Sequence, residues 1–187
     1  MNIQDKANIL YKNCKNLTPY YSDSSVEITG VDEAYLIQDE FIDLKKMDIN
    51  SDIGGWKVAL TNPEMQKLVN VNTPAEGAIL KSLIYKNNAS LQFSNYCHLG
   101  AEAEIALKIN KDIPSKIAGF NNKEEMIPYL KEVMVALEIV DDRNYGAKGN
   151  FENLIAQNSM NHGCIIGESI EIDLMTLDKL EGELIVS

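Results

Sequence analysis

Two runs with β-strand character carry carboxylates where a sheet tolerates them least. GAEAEIALKI, residues 100–109, alternates strictly. Side chains at i and i+2 share a face of a strand. Glu102 and Glu104 therefore point the same way, with Cα atoms roughly 6.5–7 Å apart, while Ala103, Ile105, Leu107 and Ile109 point the other way. VMVALEIVDDR, residues 133–143, is apolar on both faces except for Glu138, until Asp141 and Asp142 end it. A charged carboxylate inside such a run is expensive unless something positive meets it. If the two strands are neighbours, three carboxylates converge. Their repulsion, about 4 kcal/mol per pair at ~4 Å and an effective dielectric of ~20, must then be offset. A divalent cation does that directly, and an all-oxygen set favours Mg²⁺, Mn²⁺ or Ca²⁺ over zinc. The plainer readings are a solvent face for Glu102 and Glu104, and a neutral or lysine-paired Glu138.

Lys57 opens an apolar run in GGWKVALT. It is either a surface lysine with a buried stem or a buried ammonium that binds a carboxylate or moves a proton. His98 and His162 form no HxxxH or HExxH pattern, and Cys164 has no base beside it in sequence. No GxGxxG, P-loop or GxSxG occurs, which argues against nucleotide binding and against an α/β-type serine hydrolase.

The net charge of -11 and the single arginine, Arg143, leave no basic patch for phosphates, so no nucleic-acid partner and no anionic membrane surface are expected. Cys14, Cys97 and Cys164 are far apart and in no CxxC pair. That pattern fits a reducing, cytoplasmic compartment better than a disulfide framework. No signal peptide and no apolar run of membrane-spanning length is apparent.

The chain divides by character. Residues 2–17 place Ile3, Ala7, Leu10, Cys14 and Leu17 on one helical stripe. TPYYSDSS reads as a loop. Thr29 with Asp32 resembles a capping box before a second helix, VDEAYLIQDEFIDLKKM. NSDIGG reads as a turn. Short β-type runs follow: WKVAL, AIL, SLIY, EAEIALKI, VMVALEIVD and CIIGESIEI. Between them NNKEEMIPYLKEVM reads as a helix capped by Asn121 or Asn122, with Pro128 bending it. NLIAQNSMNHG is ambiguous between helix and loop. DKLEGELIVS alternates like an edge strand, which invites a partner and hence a homo-oligomer. The expected division is a helical segment over 1–50 and a β-rich domain over 51–187.

Five segments in this order resemble the 2-keto-4-pentenoate hydratase / 2-oxohepta-3-ene-1,7-dioate hydratase family of the fumarylacetoacetate hydrolase-like superfamily. They are VDEAYLIQDEF, GWKVALTNPEMQKLVNVNTPAEGAIL, EAEIALKINKDI, VALEIVDDR and IAQNSMNHGCIIG. The resemblance implies an α+β fold, with N-terminal helices on a mixed β-roll whose C-terminal part is missing. It implies Mg²⁺ or Mn²⁺ held by Glu102, Glu104 and Glu138, the trio raised by the alternation. It places Lys57 in the active site and substrate contacts at Lys57, Leu60 and Asp141. The implied substrate is a small 2-oxo acid that chelates the cation, and the implied reaction is hydration of a 2-hydroxy-dienoate. Decarboxylation or carbon–carbon hydrolysis by the same electron sink is the alternative, and an inactive binding or assembly protein on this scaffold is another. In the loop matching TPAEG the family carries an acid and then an aromatic; here Ala75 and Glu76 stand there, so the acid's catalytic role falls to Glu76 from a shifted position.

Overall fold

The computed structural model describes all residues except 20–25, 116, 118, 144–150, 171–173 and 186–187. Most of the loop expected at TPYYSDSS lies outside the described residues. Helix α1 spans Ile3–Lys15, capped by Asn2, whose side chain accepts from the Asp5 N–H at 2.8 Å. Its stripe is buried as the spacing predicts, with Ala7, Leu10 and Cys14 in the core. Leu17 has left the helix at φ 51°.

Helix α2 spans Val31–Ile49 with Gly30 as N-cap. The capping contact falls one residue later than expected. Glu33, not Asp32, accepts from the Thr29 N–H (2.6 Å) and hydroxyl (2.8 Å). Gly30 at φ 93° delays the helix start, and the longer glutamate spans the gap. Lys6 donates to the other oxygen of Glu33 at 2.7 Å. That bond first, then the two from Thr29, hold the Glu33 carboxyl down at about 2.

Strands β1 (Ile53–Ala59) and β2 (Ala75–Leu80) form an antiparallel ribbon in which Lys57 faces Gly77 and Val58 faces Glu76. The two glycines expected in a turn, Gly54 and Gly55, belong to β1, beside a register irregularity. Between the strands lies a helix the sequence reading missed, α3 (Pro63–Leu68). Asn62 accepts from the Met65 N–H and Pro63 takes the first turn, a start signal visible in TNPEMQKL.

The larger sheet has the order β3-β6-β5-β4. Its strands are β3 (Ile84–Lys86), β4 (Leu99–Ile109), β5 (Leu130–Asp141) and β6 (Asn161–Ile170). β3 runs parallel to β6 and the other pairs are antiparallel. The fold is thus α+β with a mixed sheet, as expected. The helix read over NNKEEMIPYLKEVM is only α4 (Lys123–Met126), capped by Asn122. A 3-10 turn at Ile127–Tyr129 follows, and Pro128 within it ends the helical run, so the chain is extended from Leu130. The edge strand expected at the C-terminal end is absent from the described residues. Leu174–Lys179 is a 3-10 helix and residues 180–185 have no regular structure. Alternation without a hydrogen-bonding partner does not make a strand.

The ambiguous stretch resolves into α5 (Phe151–Ala156) and a tight arch leading to β6. Leu10, Ile37 and Phe41 pack with Ala75 of β2 and with Phe151, Ile155 and Ala156 of α5. Full burial of each large side chain contributes about 1.5–3 kcal/mol. The N-terminal helices therefore close their core on residues from both later halves of the chain. Gln38, 2% exposed, sits in that layer because its amide donates to the carbonyls of Glu76 (2.9 Å) and Ile155 (2.8 Å). On the apolar side of β4 and β5, Ile105, Leu107 and Val135 are exposed, whereas Val133 and Ile139 are buried. No described helix is long and apolar enough to cross a membrane.

Candidate metal centre

β4 and β5 pair in a register that sets Glu102 opposite Glu138 and Glu104 opposite Ala136. Residues directly opposite share a face, so the three carboxylates gather on one side of the sheet. One oxygen from each lies within 4.8 Å of the others. Glu102 and Glu104 are exposed, whereas Glu138, on a strand flanked by β4 and β6, is 4% exposed. Its Oε1 accepts from Asn161 Nδ2 at 2.8 Å and its Oε2 meets Lys57 Nζ at 3.1 Å. Burial still pushes the Glu138 carboxyl above its ordinary value, against the pull of Lys57 and Asn161. Burial and the neighbouring Glu102 push Glu104 up as well.

Lys57 reaches this face from the ribbon. Of the two readings left open by sequence, the structure has the buried ammonium: it pairs with Glu138 and donates to the Ser159 carbonyl at 3.3 Å. One ammonium against three carboxylates leaves two negative charges, which a single dication balances. The donors are all oxygen, two of them solvent-facing, which suits a hard ion that keeps part of its water shell. The residues present thus fit Mg²⁺ or Mn²⁺.

No family model matches the chain. It is 28% identical over 134 residues to a 2-keto-4-pentenoate hydratase from Burkholderia vietnamiensis, covering 72% of this chain and 50% of that one. It is 27% identical over 159 residues to a 2-hydroxyhexa-2,4-dienoate hydratase from Comamonas testosteroni, covering 84% and 58%. The chain is a homologue of 2-keto-4-pentenoate hydratases. It spans about half the length of the curated relatives it matches. Its fold is that of 4-oxalocrotonate decarboxylase from Pseudomonas putida G7, solved with magnesium and adipate. The TM-score is 0.72 at 21% identity, over 88% of this chain and 62% of that one. The same enzyme complexed with calcium and acetate matches equally, with a TM-score of 0.72.

The remaining residues expected at the site sit elsewhere. Glu76 pairs with Val58, so strand alternation turns its carboxylate to the ribbon face opposite Lys57 and Gly77. Its carbonyl, not its carboxylate, joins the network, accepting from Gln38 and from the Ser159 hydroxyl at 3.2 Å. Leu60 follows β1 in a left-handed conformation (φ 58°) and packs against the helical core. Asp141 is three residues from Glu138 on a regular stretch of β5 and so faces the other side of the sheet. There it is 2% exposed, and its Oδ1 accepts from the His98 N–H at 2.7 Å.

That other side holds a second buried charged group. Lys45 of α2 donates to the Asn161 carbonyl at 3.4 Å, and burial pushes its ammonium down. Burial, then the positive Lys45 and Arg143, push the His162 imidazole down to about 3. The unfolded chain therefore binds a proton that the folded one refuses between pH 6.5 and about 3. Stability from this residue is complete above pH 6.5 and is lost as pH falls through that window. His162→Gln is expected to flatten the acid limb of the melting temperature measured between pH 6.5 and 4; an unchanged limb would place the titrating group elsewhere.

Sequence reasoning assigned no role to Asn158, Ser159 or Asn161. The available signal was IAQNSMNHG, whose two asparagines and serine are polar residues close to apolar ones. All three residues are buried, and each bonds a backbone or side chain of the site.

Proposed function

We propose that this chain carries the cation site of a 2-keto-4-pentenoate hydratase-like lyase acting on small 2-oxo acids. The observation that carries the reading is the convergence of Glu102, Glu104 and Glu138 on one sheet face with the Lys57 ammonium 3.1 Å from Glu138. The hydratases among its relatives support that chemistry. A divalent cation held by the trio would supply Lewis-acid polarisation of a 2-oxo group. Asn161 holds one oxygen of Glu138 and so fixes the direction of the other. Lys57 has two donors engaged by Glu138 and Ser159; its third is available to a substrate carboxylate or to proton transfer during water addition.

The placement of Glu76 favours a second reading, a chain that binds the cation and a 2-oxo acid without hydrating it. Ala75 is buried where the resemblance calls for an acid, and the Glu76 carboxylate points away from Lys57. Loss of the 2-hydroxypenta-2,4-dienoate absorbance separates the two. Mg²⁺-dependent decay, abolished by EDTA, with a product heavier by one water is the expected result. Binding with no decay supports the second reading, and release of CO₂ from an oxo-diacid supports the decarboxylase. We include self-association in the proposal, because β4 is an edge strand of the sheet among the described residues and exposes Ile105, Leu107 and Ile109. Light scattering on the same sample is expected to read more than one chain's mass.

A further inference from the structure

Asn158, Ser159 and Met160 take φ values of 57°, 49° and 61° in succession. Three consecutive left-handed residues, none of them glycine, are sterically disfavoured and persist only where the surroundings impose them. The imposing contact is the Asn158 side chain, 2% exposed. Its Oδ1 accepts from the Ala78 N–H at 2.7 Å and its Nδ2 donates to the Ala78 carbonyl at 2.8 Å. The amide thus binds β2 as an additional strand would. Gly77 lets it come this close: a Cβ there would lie 2.9 Å from Asn158 Oδ1, 3.0 Å from the Asn158 carbonyl and 3.3 Å from Lys57 Cδ.

The next residue turns the same grip toward the site. The Ser159 hydroxyl donates to the Glu76 carbonyl at 3.2 Å, and the Ser159 carbonyl accepts from Lys57 Nζ at 3.3 Å. Lys57 lies opposite Gly77 in the ribbon. The Asn158 amide therefore ties the arch to β2 at both peptide groups of Ala78, the Ser159 hydroxyl adds one bond at Glu76, and the arch's backbone fixes the ammonium that β1 delivers to Glu138.

We propose that Asn158 is the positioning residue for Lys57: by clasping both peptide groups of Ala78 it holds the arch in its left-handed form, so that the Ser159 carbonyl aims the Lys57 ammonium at the acidic trio. Asn158 itself touches neither substrate nor cation. With two donors fixed by Ser159 and Glu138, the third has one direction left. Without the clasp the arch relaxes and the carbonyl swings off. Lys57 keeps its ion pair but loses its orientation, which is the quantity proton transfer depends on. The inference rests on the catalytic reading of Lys57 above, and its test does not need turnover to be seen.

The test uses the full chain with Asn158→Ala, and with Asn158→Asp, which keeps the acceptor for the Ala78 N–H and loses the donor. The first readout is the side-chain ammonium signal of Lys57 in a ¹H–¹⁵N spectrum, assigned by its disappearance in Lys57→Met. Asn158→Ala is expected to lose that signal while Mn²⁺ affinity by calorimetry stays within about threefold, because the trio is untouched. In the enzyme assay kcat is expected to fall about 10–100-fold with KM changed less than about threefold. A Lys57 signal that survives in a folded Asn158→Ala or Asn158→Asp overturns the proposal. So does a parallel loss of signal, Mn²⁺ affinity and melting temperature, or failure of both variants to fold, since each assigns Asn158 to stability alone. If the native chain turns over no 2-oxo acid, the hydratase reading fails while the ammonium signal still decides the positioning.

Discussion

Glu138→Ala is expected to abolish divalent-cation binding. Glu138 is the buried member of the trio and the one whose two oxygens are both held, by Asn161 and by Lys57. What remains is Glu102 and Glu104, two exposed carboxylates two residues apart on one strand. Such a pair holds a hydrated ion weakly. Losing a residue that merely orients a ligand costs about 10–100-fold in affinity, so losing the ligand is expected to cost at least ~100-fold in Mn²⁺ affinity by calorimetry. The variant is expected to stay folded. Breaking a buried ion pair costs about 3–5 kcal/mol when the partner charge is stranded. Here burial already outweighs Lys57 in its effect on Glu138, so part of that cost is relieved with the carboxylate. The raised carboxyls of Glu104 and Glu138 add a pH dependence: the cation requires both ionised, so affinity falls on acidification from a pH above the ordinary glutamate range. Unchanged affinity in a folded Glu138→Ala would remove the metal assignment.

Lys57→Met separates catalysis from cation binding. Methionine retains the apolar stem and removes the charge. The ammonium stands 3.1 Å from Glu138 and competes with a dication for the same carboxylate. At ~4 Å and an effective dielectric of ~20 that competition is worth about 4 kcal/mol before solvent rearranges. Mn²⁺ affinity is therefore expected to hold or rise. Turnover is expected to fall about 10²–10⁴-fold, the usual contribution of a positioned proton donor or acceptor. A variant with full turnover would make Lys57 a structural ion-pair partner. One that loses Mn²⁺ affinity and activity together would make it part of the scaffold of the trio.

Much of the site was legible because its decisive pattern is local. The i, i+2 spacing of Glu102 and Glu104 fixes their common face whatever the rest of the chain does. The isolation of Glu138 among apolar residues announces a buried charge that needs a partner. The α1 stripe and the Asn122 cap are local in the same sense, and both stand in the structure. The errors arose where a local pattern competed with a distant contact. Gly54 and Gly55 read as a turn, but β2 recruits them into a strand. The segment after Pro128 reads as helix, but β4 and β6 pair with it on both sides. DKLEGELIVS alternates, and no described strand pairs with it.

The residues that aim Lys57 belong wholly to the second kind. Nothing in AQNSMN states that Asn158 will clasp Ala78, eighty residues earlier, or that three left-handed residues will survive in a row. Sequence alone determined which side chains are acidic, which share a strand face and which helix stripe is apolar, since these follow from covalent order and a fixed backbone period. Tertiary structure alone decided that β4 and β5 meet in the register that opposes Glu102 to Glu138, that Glu76 turns its carboxylate away, and that Asn158 reaches Ala78. Those outcomes depend on hydrogen bonds between segments far apart in the chain, and no local period encodes them.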